Sequence, residues 1–372
     1  MAREGLAMAN GTAIRAEVIG SLLRPPEVKQ AMRDAASGAI DRAELERVQD
    51  AAILDAIALQ EACGLDLITD GEYRRAIFWD PIIAALDGLT TDAASPVLFG
   101  STASQDDVRL PVVSGRLGLR DSLLQREMRY LTAHTRTPTK ATLPAMAQAS
   151  ALWLPGLSEG AYPTRDEYVA DLVEIMRGEI QALADLGVRY VQLDSPRYTY
   201  VCSEDGRNRL QTLGIDTEPW LGEMIAFDNR LIEGFDGITF GLQLCRGNHR
   251  SMWAVEGGYD PIAERLFNEL RVDRLLLEYE SPRAGTFEPL RYVPADKVVV
   301  LGLISSKEAR VESRDEILPR IEEASHYLPL NQLALSPQCG FASTLPGNLL
   351  DETAQRQKLE LVASLAREVW GG

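Results

Sequence analysis

The chain has 372 residues, 45% hydrophobic and 25% charged, with a formal net charge of −17. This balance is ordinary for a globular protein and adverse to nucleic acid or an anionic membrane as the main partner. No apolar run approaches the roughly 20 residues of a membrane span, the opening MAREGLAMANGTAIRAEV lacks a signal-peptide core, and four cysteines do not suggest a disulfide framework, so a reducing cytoplasm is the expected setting.

Short β runs recur between helical patterns. In chain order they are AEVIGS (16–21), LDLITD (65–70), TKATLP (139–144), VRYVQLD (188–194), ITFGLQLC (238–245), DRLLLEYE (273–280), KVVVLGLIS (297–305) and QLALSP (332–337). DRAELERVQDAAILDAIALQEACG has apolar residues at three-to-four spacing and stops at Gly64, and TRDEYVADLVEIMRGEIQALADLG opens on a capping Thr164 and stops at Gly187. DPIAERLFNELR and SRDEILPRIEEASHYL are shorter helical patterns. Eight strands with interleaved helices predict one α/β domain over 1–372, a (β/α)8 TIM barrel. The long gap between strands 2 and 3 predicts an inserted hairpin or lid at about 80–120. Two doubly wound half-domains are the alternative. No G-x-G-x-x-G follows an early strand and no G-x-x-x-x-G-K-[ST] occurs, so nucleotide binding has no support.

Barrel enzymes gather their sites at the C-terminal ends of the strands. Those ends here carry Ser21 and Arg24, then Asp70, Glu72, Arg74 and Arg75, then Asp194 and Ser195, Gln243 and Cys245, Glu278 and Glu280, Ser305, Ser306 and Lys307, and finally Cys339; Lys140 lies near the start of strand 3. Cys245 and Cys339 each end an apolar run before a glycine-containing turn, the layout of a thiolate metal site or a reactive thiol pair. Taken alone they also read as small buried hydrophobes, as Cys63 does. None of the histidines ends a strand, and His249, four residues past Cys245, reads as a loop residue.

The segments VIGSLLRP, LITDGEYRR, YVQLDSPRY, LCRGNHRS, LLLEYESPRAGTFEPLR, VLGLISSKEARVES and SPQCGF run in order from about residue 18 to 342. As a set they resemble the catalytic C-terminal barrel of the cobalamin-independent methionine synthase family. The nearer match is to its single-barrel relatives, which include epoxyalkane:coenzyme M transferases. The resemblance implies a zinc-dependent alkyl (methyl) transferase acting on a small thiol such as homocysteine, with an alkyl donor that in the family is a methyl-folate. It implies zinc ligands at Cys245, Glu278 and Cys339, with Gln243 standing where the family's H-x-C element has histidine. Ser21, Glu72 and Asp194 would hold the amino-acid part of the thiol substrate, with Arg24 beside them. Lys307 stands where methionine synthases carry a proton-donating histidine, so Asp194 and Lys307 are the catalytic candidates. Trp79, Trp153 and Trp253 are candidates to stack on a flat donor or to anchor loops. Because an amide oxygen is a poor zinc ligand beside an imidazole, two further readings stand. One is a zinc-less barrel doing carboxylate acid–base work through Asp194, Glu72 and Arg24. The other is a non-catalytic small-molecule binding protein. A homo-oligomer is compatible with either.

Overall fold

The computed structural model describes residues 8–9, 12–96, 109–212 and 214–371. A short antiparallel pair, β1 (Met8–Ala9) and β2 (Thr12–Ala13), leads into the barrel. The next pair, β3 (Leu86–Pro96) and β4 (Arg109–Leu119), is also antiparallel. It is the hairpin expected between the second and third barrel strands. Residues 97–108, between these two strands in sequence, lie outside the described residues. Six parallel strands follow: β5 (Ala141–Pro144), β6 (Tyr190–Asp194), β7 (Thr239–Leu244), β8 (Arg274–Glu278), β9 (Val298–Ile304) and β10 (Leu333–Pro337). They pair in the order β10-β9-β8-β7-β6-β5. Their side chains are buried on both faces almost throughout, as in a parallel sheet covered by helices.

The first two expected strands form no ladder. Single parallel bridges, Ala16 to Leu335, Glu17 to Leu67 and Ile68 to Thr139, carry the circuit from β10 round to β5. Side chains satisfy the backbone where ladder bonds are missing. Asp66 Oδ2 accepts from the amides of Arg15 (2.7 Å) and Ala16 (2.8 Å). Gln60 donates to the Thr69 carbonyl (2.7 Å) and accepts from the Thr69 amide (3.0 Å). Thr69 Oγ1 donates to the Gly20 carbonyl (2.7 Å).

The helices follow their local signals. Arg42–Cys63 begins where the Asp41 side chain accepts from the Glu44 amide (2.9 Å), and it ends on Gly64 at φ 80°. Its buried stripe of Gln49, Ala52, Ile53, Ala56 and Ile57 keeps helical spacing. Arg165–Asp185 starts at Thr164, and Arg314–Ser325 carries a full capping box between Ser313 and Glu316. Among the described residues no helix is long and apolar enough to cross a membrane.

The base of the ring holds a buried charge cluster. Glu17 Oε2 lies 2.7 Å from Lys140 Nζ and Glu17 Oε1 2.8 Å from Arg274 Nη2, and Tyr190 Oη donates to the same carboxylate (3.2 Å). All four residues sit at or before the starts of barrel segments, opposite the mouth. Burial opposes ionisation of Glu17, but Lys140 and Arg274 outweigh it and hold the carboxyl below its ordinary value. Removing one partner of a buried ion network leaves uncompensated charge, which costs about 3–5 kcal/mol. Glu17→Gln should therefore lower the urea midpoint markedly at unchanged slope; an unmoved midpoint would show that the cluster does not hold the base of the barrel.

Candidate functional site

At the mouth of the ring, a cavity of about 330 Å³ is walled by residues at or after the ends of six of the eight barrel segments, those other than β8 and β9. One pole is acidic. Glu72 follows Gly71 (φ 72°) and is itself left-handed at φ 58°, a strained conformation for a side-chain-bearing residue. Its Oε1 accepts from Thr142 Oγ1 (2.8 Å) and lies 3.6 Å from Arg75 Nη1. The carboxylate crosses so close to Gly20 that a Cβ there would sit 2.4 Å from Oε1. Glycine is what lets it enter the cavity.

Asp194 ends β6 on the opposite wall, where Gln192 Nε2 donates to its Oδ1 (2.6 Å). Burial first, and then the Glu72 charge, push the Asp194 carboxyl well above its ordinary value. Behind Glu72, Arg75 Nη2 binds Glu127 Oε2 (2.7 Å). Burial raises Glu127 to about 7 despite Arg75, with Asp70 and Glu72 adding to the rise. Several carboxylates therefore share one guanidinium. An incoming ammonium would relieve that crowding.

Ser21 meets the other end of the chain. Its Oγ accepts from the Ala342 amide (3.3 Å), its carbonyl accepts from the Phe341 amide (2.8 Å), and a Cβ on Gly340 would lie 2.1 Å from that Oγ. Arg24 is buried beneath and does not line the cavity. Its guanidinium donates to the carbonyls of Ala342 (2.7 Å), Thr344 (3.3 Å) and Glu72 (3.0 Å). Arg24 thus sets the backbone of both loops, and the structure does not bring it to the place of the substrate contact expected from the sequence.

The second pole is sulfur. Cys245 and Cys339 line the same cavity, and each thiol bears on the proton affinity of the other. The neighbouring Cys339 lowers the Cys245 thiol, and Cys245 is in turn the main reason that Cys339 is pushed well above its ordinary value, with burial adding to it. Gln243 Nε2 points toward Cys339 Sγ (4.0 Å). Glu278, on the adjoining strand, is otherwise engaged: its Oε2 accepts from the Arg246 amide (3.1 Å) and its Oε1 lies 2.7 Å from Arg283 Nη2.

Among the described residues no group of three or more His, Cys, Asp and Glu is arranged to hold a metal ion. The expected ligand set is therefore not drawn together around one point, because Arg283 and the Arg246 amide hold the Glu278 carboxylate. The sulfur pair by itself has the donor chemistry that zinc takes. His249 is buried with Nδ1 hydrogen-bonded to Thr344 Oγ1 (2.9 Å), away from the ligand role.

Two further candidates also sit elsewhere. Lys307 Nζ donates to the carbonyl of Gly247 (3.0 Å), Asn248 Oδ1 (2.7 Å) and the carbonyl of Met252 (3.4 Å), and it is absent from the cavity wall. It braces the loop after β7. Trp253 is 38% exposed, its ring under the Arg283 guanidinium (4.6 Å) and its Nε1 bonded to Glu256 (2.8 Å). Trp79 does line the cavity, with Phe78 packed edge-on to it (4.8 Å) and Ile77, Tyr200, Leu210 and Ala254 completing an apolar wall. Phe78, Tyr200, Gln148 and Asn248 reach the cavity without a distinguishing sequence signal, since none follows a strand directly.

The family model described as "Cobalamin-independent synthase, Catalytic domain" matches residues 14–212 and 259–363. The stretch between these segments carries Gln243 and Cys245. The uncharacterised protein YxjH of Bacillus subtilis is 36% identical over 96% of this chain and 94% of its own length. A methionine synthase of Pyrococcus abyssi is 25% identical over 95% of this chain and 91% of its own length. A solved structure of a candidate vitamin-B12-independent methionine synthase from Listeria monocytogenes superposes with a TM-score of 0.73 at 29% identity, covering 96% of this chain and 98% of that one. With the barrel, the cavity at its mouth and these matches together, the chain belongs to the cobalamin-independent methionine synthase family, as a version of its catalytic domain.

Proposed function

We infer that the protein transfers a methyl or related alkyl group to the sulfur of a small amino thiol such as homocysteine, at a zinc site built on Cys245 and Cys339. The observation that carries this reading is the placement of an acidic pole and a sulfur pole in one cavity of about 330 Å³. Glu72 and Asp194 supply the counter-charge for the substrate ammonium. The Ser21 hydroxyl, with the nearby 340–342 turn, faces the carboxylate. A substrate anchored there extends its sulfur toward Cys245 and Cys339.

Zinc bound to these sulfurs would lower the substrate thiol's pKa and keep it nucleophilic at neutral pH. Glu278, whose charge bears on both thiols, is the carboxylate that would join them, and Gln243 occupies the remaining family position. The new S–C bond forms as the bond from that carbon to the donor's leaving atom breaks. The apolar wall of Phe78, Trp79 and Tyr200 excludes water from that attack and suits a flat donor.

A second reading rests on Asp194 and Glu72 lining one cavity, where burial and the Glu72 charge raise the Asp194 carboxyl. A carboxyl raised in this way suits general acid–base work without a metal.

Metal analysis separates the two. Protein purified without added zinc should hold close to one equivalent, and Cys245→Ser or Cys339→Ser should lose it while keeping wild-type circular dichroism. Gln243→His should bind zinc more tightly, since imidazole is the better ligand. Full activity in the presence of a chelator would remove zinc from the reading and favour the acid–base alternative.

The acidic pole has its own test. Charge-assisted hydrogen bonds contribute about 1.5–3 kcal/mol, roughly 10–100-fold in binding. Glu72→Gln and Asp194→Asn should each raise KM for homocysteine by about that factor, yet leave KM for 4-mercaptobutyrate, which lacks the amine, unchanged. Equal losses for both thiols would show that neither carboxylate reads the ammonium.

A further inference from the structure

Among the described residues, the loop that follows β9 supplies none to the wall of the inner cavity at the barrel mouth. It is nevertheless bonded to both loops that carry the sulfur pole. The buried ammonium of Lys307 donates to the Gly247 carbonyl (3.0 Å) and to Asn248 Oδ1 (2.7 Å), just after Cys245, and more weakly to the Met252 carbonyl (3.4 Å). Its three N–H groups are thereby met by the protein, and none is aimed at a reacting group. Asn248 passes the contact on. Its Nδ2 donates to the Gly340 carbonyl (2.7 Å) and to Ser343 Oγ (2.9 Å), and that hydroxyl lies 3.8 Å from Cys339 Sγ. One side-chain amide on the β7 loop therefore accepts from the β9 loop and donates to the β10 loop.

A second set of bonds ties the same loops. The chain reverses between His249 and Met252, which pair as an isolated antiparallel bridge, through Arg250 (φ 49°) and Ser251 (φ 66°). Two successive left-handed residues that carry side chains are costly and persist only where surrounding contacts over-determine them. Here Ser251 Oγ donates to the Lys307 carbonyl (2.6 Å) and accepts from the Leu349 amide (2.9 Å), and Asn348 Oδ1 accepts from the Ser251 amide (2.9 Å). Asn348 Nδ2 in turn donates to the Ser306 carbonyl (2.7 Å), and its backbone amide donates to the Phe341 carbonyl (3.0 Å).

We propose that Lys307 is a positioning residue for the sulfur pole: through Asn248 it fixes the loop of Cys245 against the loop of Cys339, and so sets the spacing at which the two thiols are presented. The family position implies a proton donor, and the geometry gives this lysine a different task. A ligand that bridges two thiols on loose loops must order both loops as it binds. A spacing set in advance removes that cost. The role rests on the two thiols sharing one cavity and does not require the methyl-transfer reading.

Phenylarsine oxide tests the spacing in metal-free full-length protein. It forms two As–S bonds with a close thiol pair, its oxygen leaving with the two thiol protons as water while arsenic stays trivalent. The chain should hold one equivalent against excess 2-mercaptoethanol, and Cys245→Ser or Cys339→Ser should abolish that retention. Lys307→Met should lower retention about tenfold, the usual strength of a charge-assisted hydrogen bond. Asn248→Asp keeps the acceptor for Lys307 but loses the donors to the 340–343 turn, and it should lower retention by a similar factor of about ten. The double variant should be no worse than either single one, because both cut the same chain of contacts. Glu17→Gln, which loosens the barrel at its opposite end, should leave retention unchanged. In turnover, Lys307→Met should lower kcat without altering the shape of the pH profile, whereas loss of a proton donor would remove one limb of it. An inactive wild type that still shows the arsenical pattern would sink the transfer reading and leave this one standing. No retention by the wild type, unchanged retention in Lys307→Met or Asn248→Asp, additive losses in the double variant, an equal loss in Glu17→Gln, or a missing limb of the pH profile overturns the proposal.

Discussion

The ring of parallel segments is completed by side chains over the two segments that deliver Ser21 and Glu72. Between β10 and β5 the backbone makes only isolated bridges, and Asp66, Gln60 and Thr69 take over the missing hydrogen bonds. A regular strand would keep its residues in a strict in-out alternation. Releasing these segments from the ladder lets Gly20 and Gly71 turn the chain early. Glu72 then adopts a left-handed conformation and aims its carboxylate across the mouth. At the opposite end, Glu17 ties the first segment to Lys140 and Arg274, so the loosely laddered side of the barrel is pinned at its base by charge.

The mouth is organised around scarce positive charge. Arg75 serves Glu127 and Glu72, while Arg24 is turned to backbone carbonyls and Lys307 braces the loop after β7. The inner cavity carries both Asp194 and Glu72 on its wall, and the charge of Glu72 bears on Asp194. Desolvation makes that arrangement costly with both groups ionised, hence the raised Asp194 carboxyl. A cationic substrate group is the natural partner for such a pair. The charge placement thus argues for an ammonium at this pole independently of any relative.

Much of this was legible from residue order. Runs of β-branched and leucine residues between helical patterns located all six regular strands within a few residues, and the two thiols proved to share one cavity. The ends of segments 16–21 and 65–70 bring Ser21 and Glu72 to the cavity wall, although the segments themselves are not regular strands. Side-chain direction was not legible. Arg24, Lys307 and Trp253 each follow a barrel segment and bear the right chemistry, but three buried carbonyls capture Arg24, Asn248 and two carbonyls capture Lys307, and Arg283 covers Trp253. Nothing in the order of residues announces these captures. They depend on which polar groups happen to be within reach once the loops close.

The same logic explains why the sulfur pole is the least determined part of the site. Cys245 and Cys339 come from opposite ends of the sheet order β7-β8-β9-β10, and their meeting requires only that the barrel curve. A third ligand requires more, because Glu278 must exchange a buried guanidinium and a backbone amide for a metal. Arg283 is a cation standing where a dication would be the stronger partner for the same carboxylate. The two cannot both be accommodated, since like charges at contact distance in a buried site repel strongly. A metal held by Glu278 and the sulfur pair would require Arg283 to leave that carboxylate, and its other contacts, Glu280 and the Trp253 ring, would remain to hold it. Trp253, which does not line the cavity, would then act through Arg283, by stacking on the guanidinium that Glu278 would have to release.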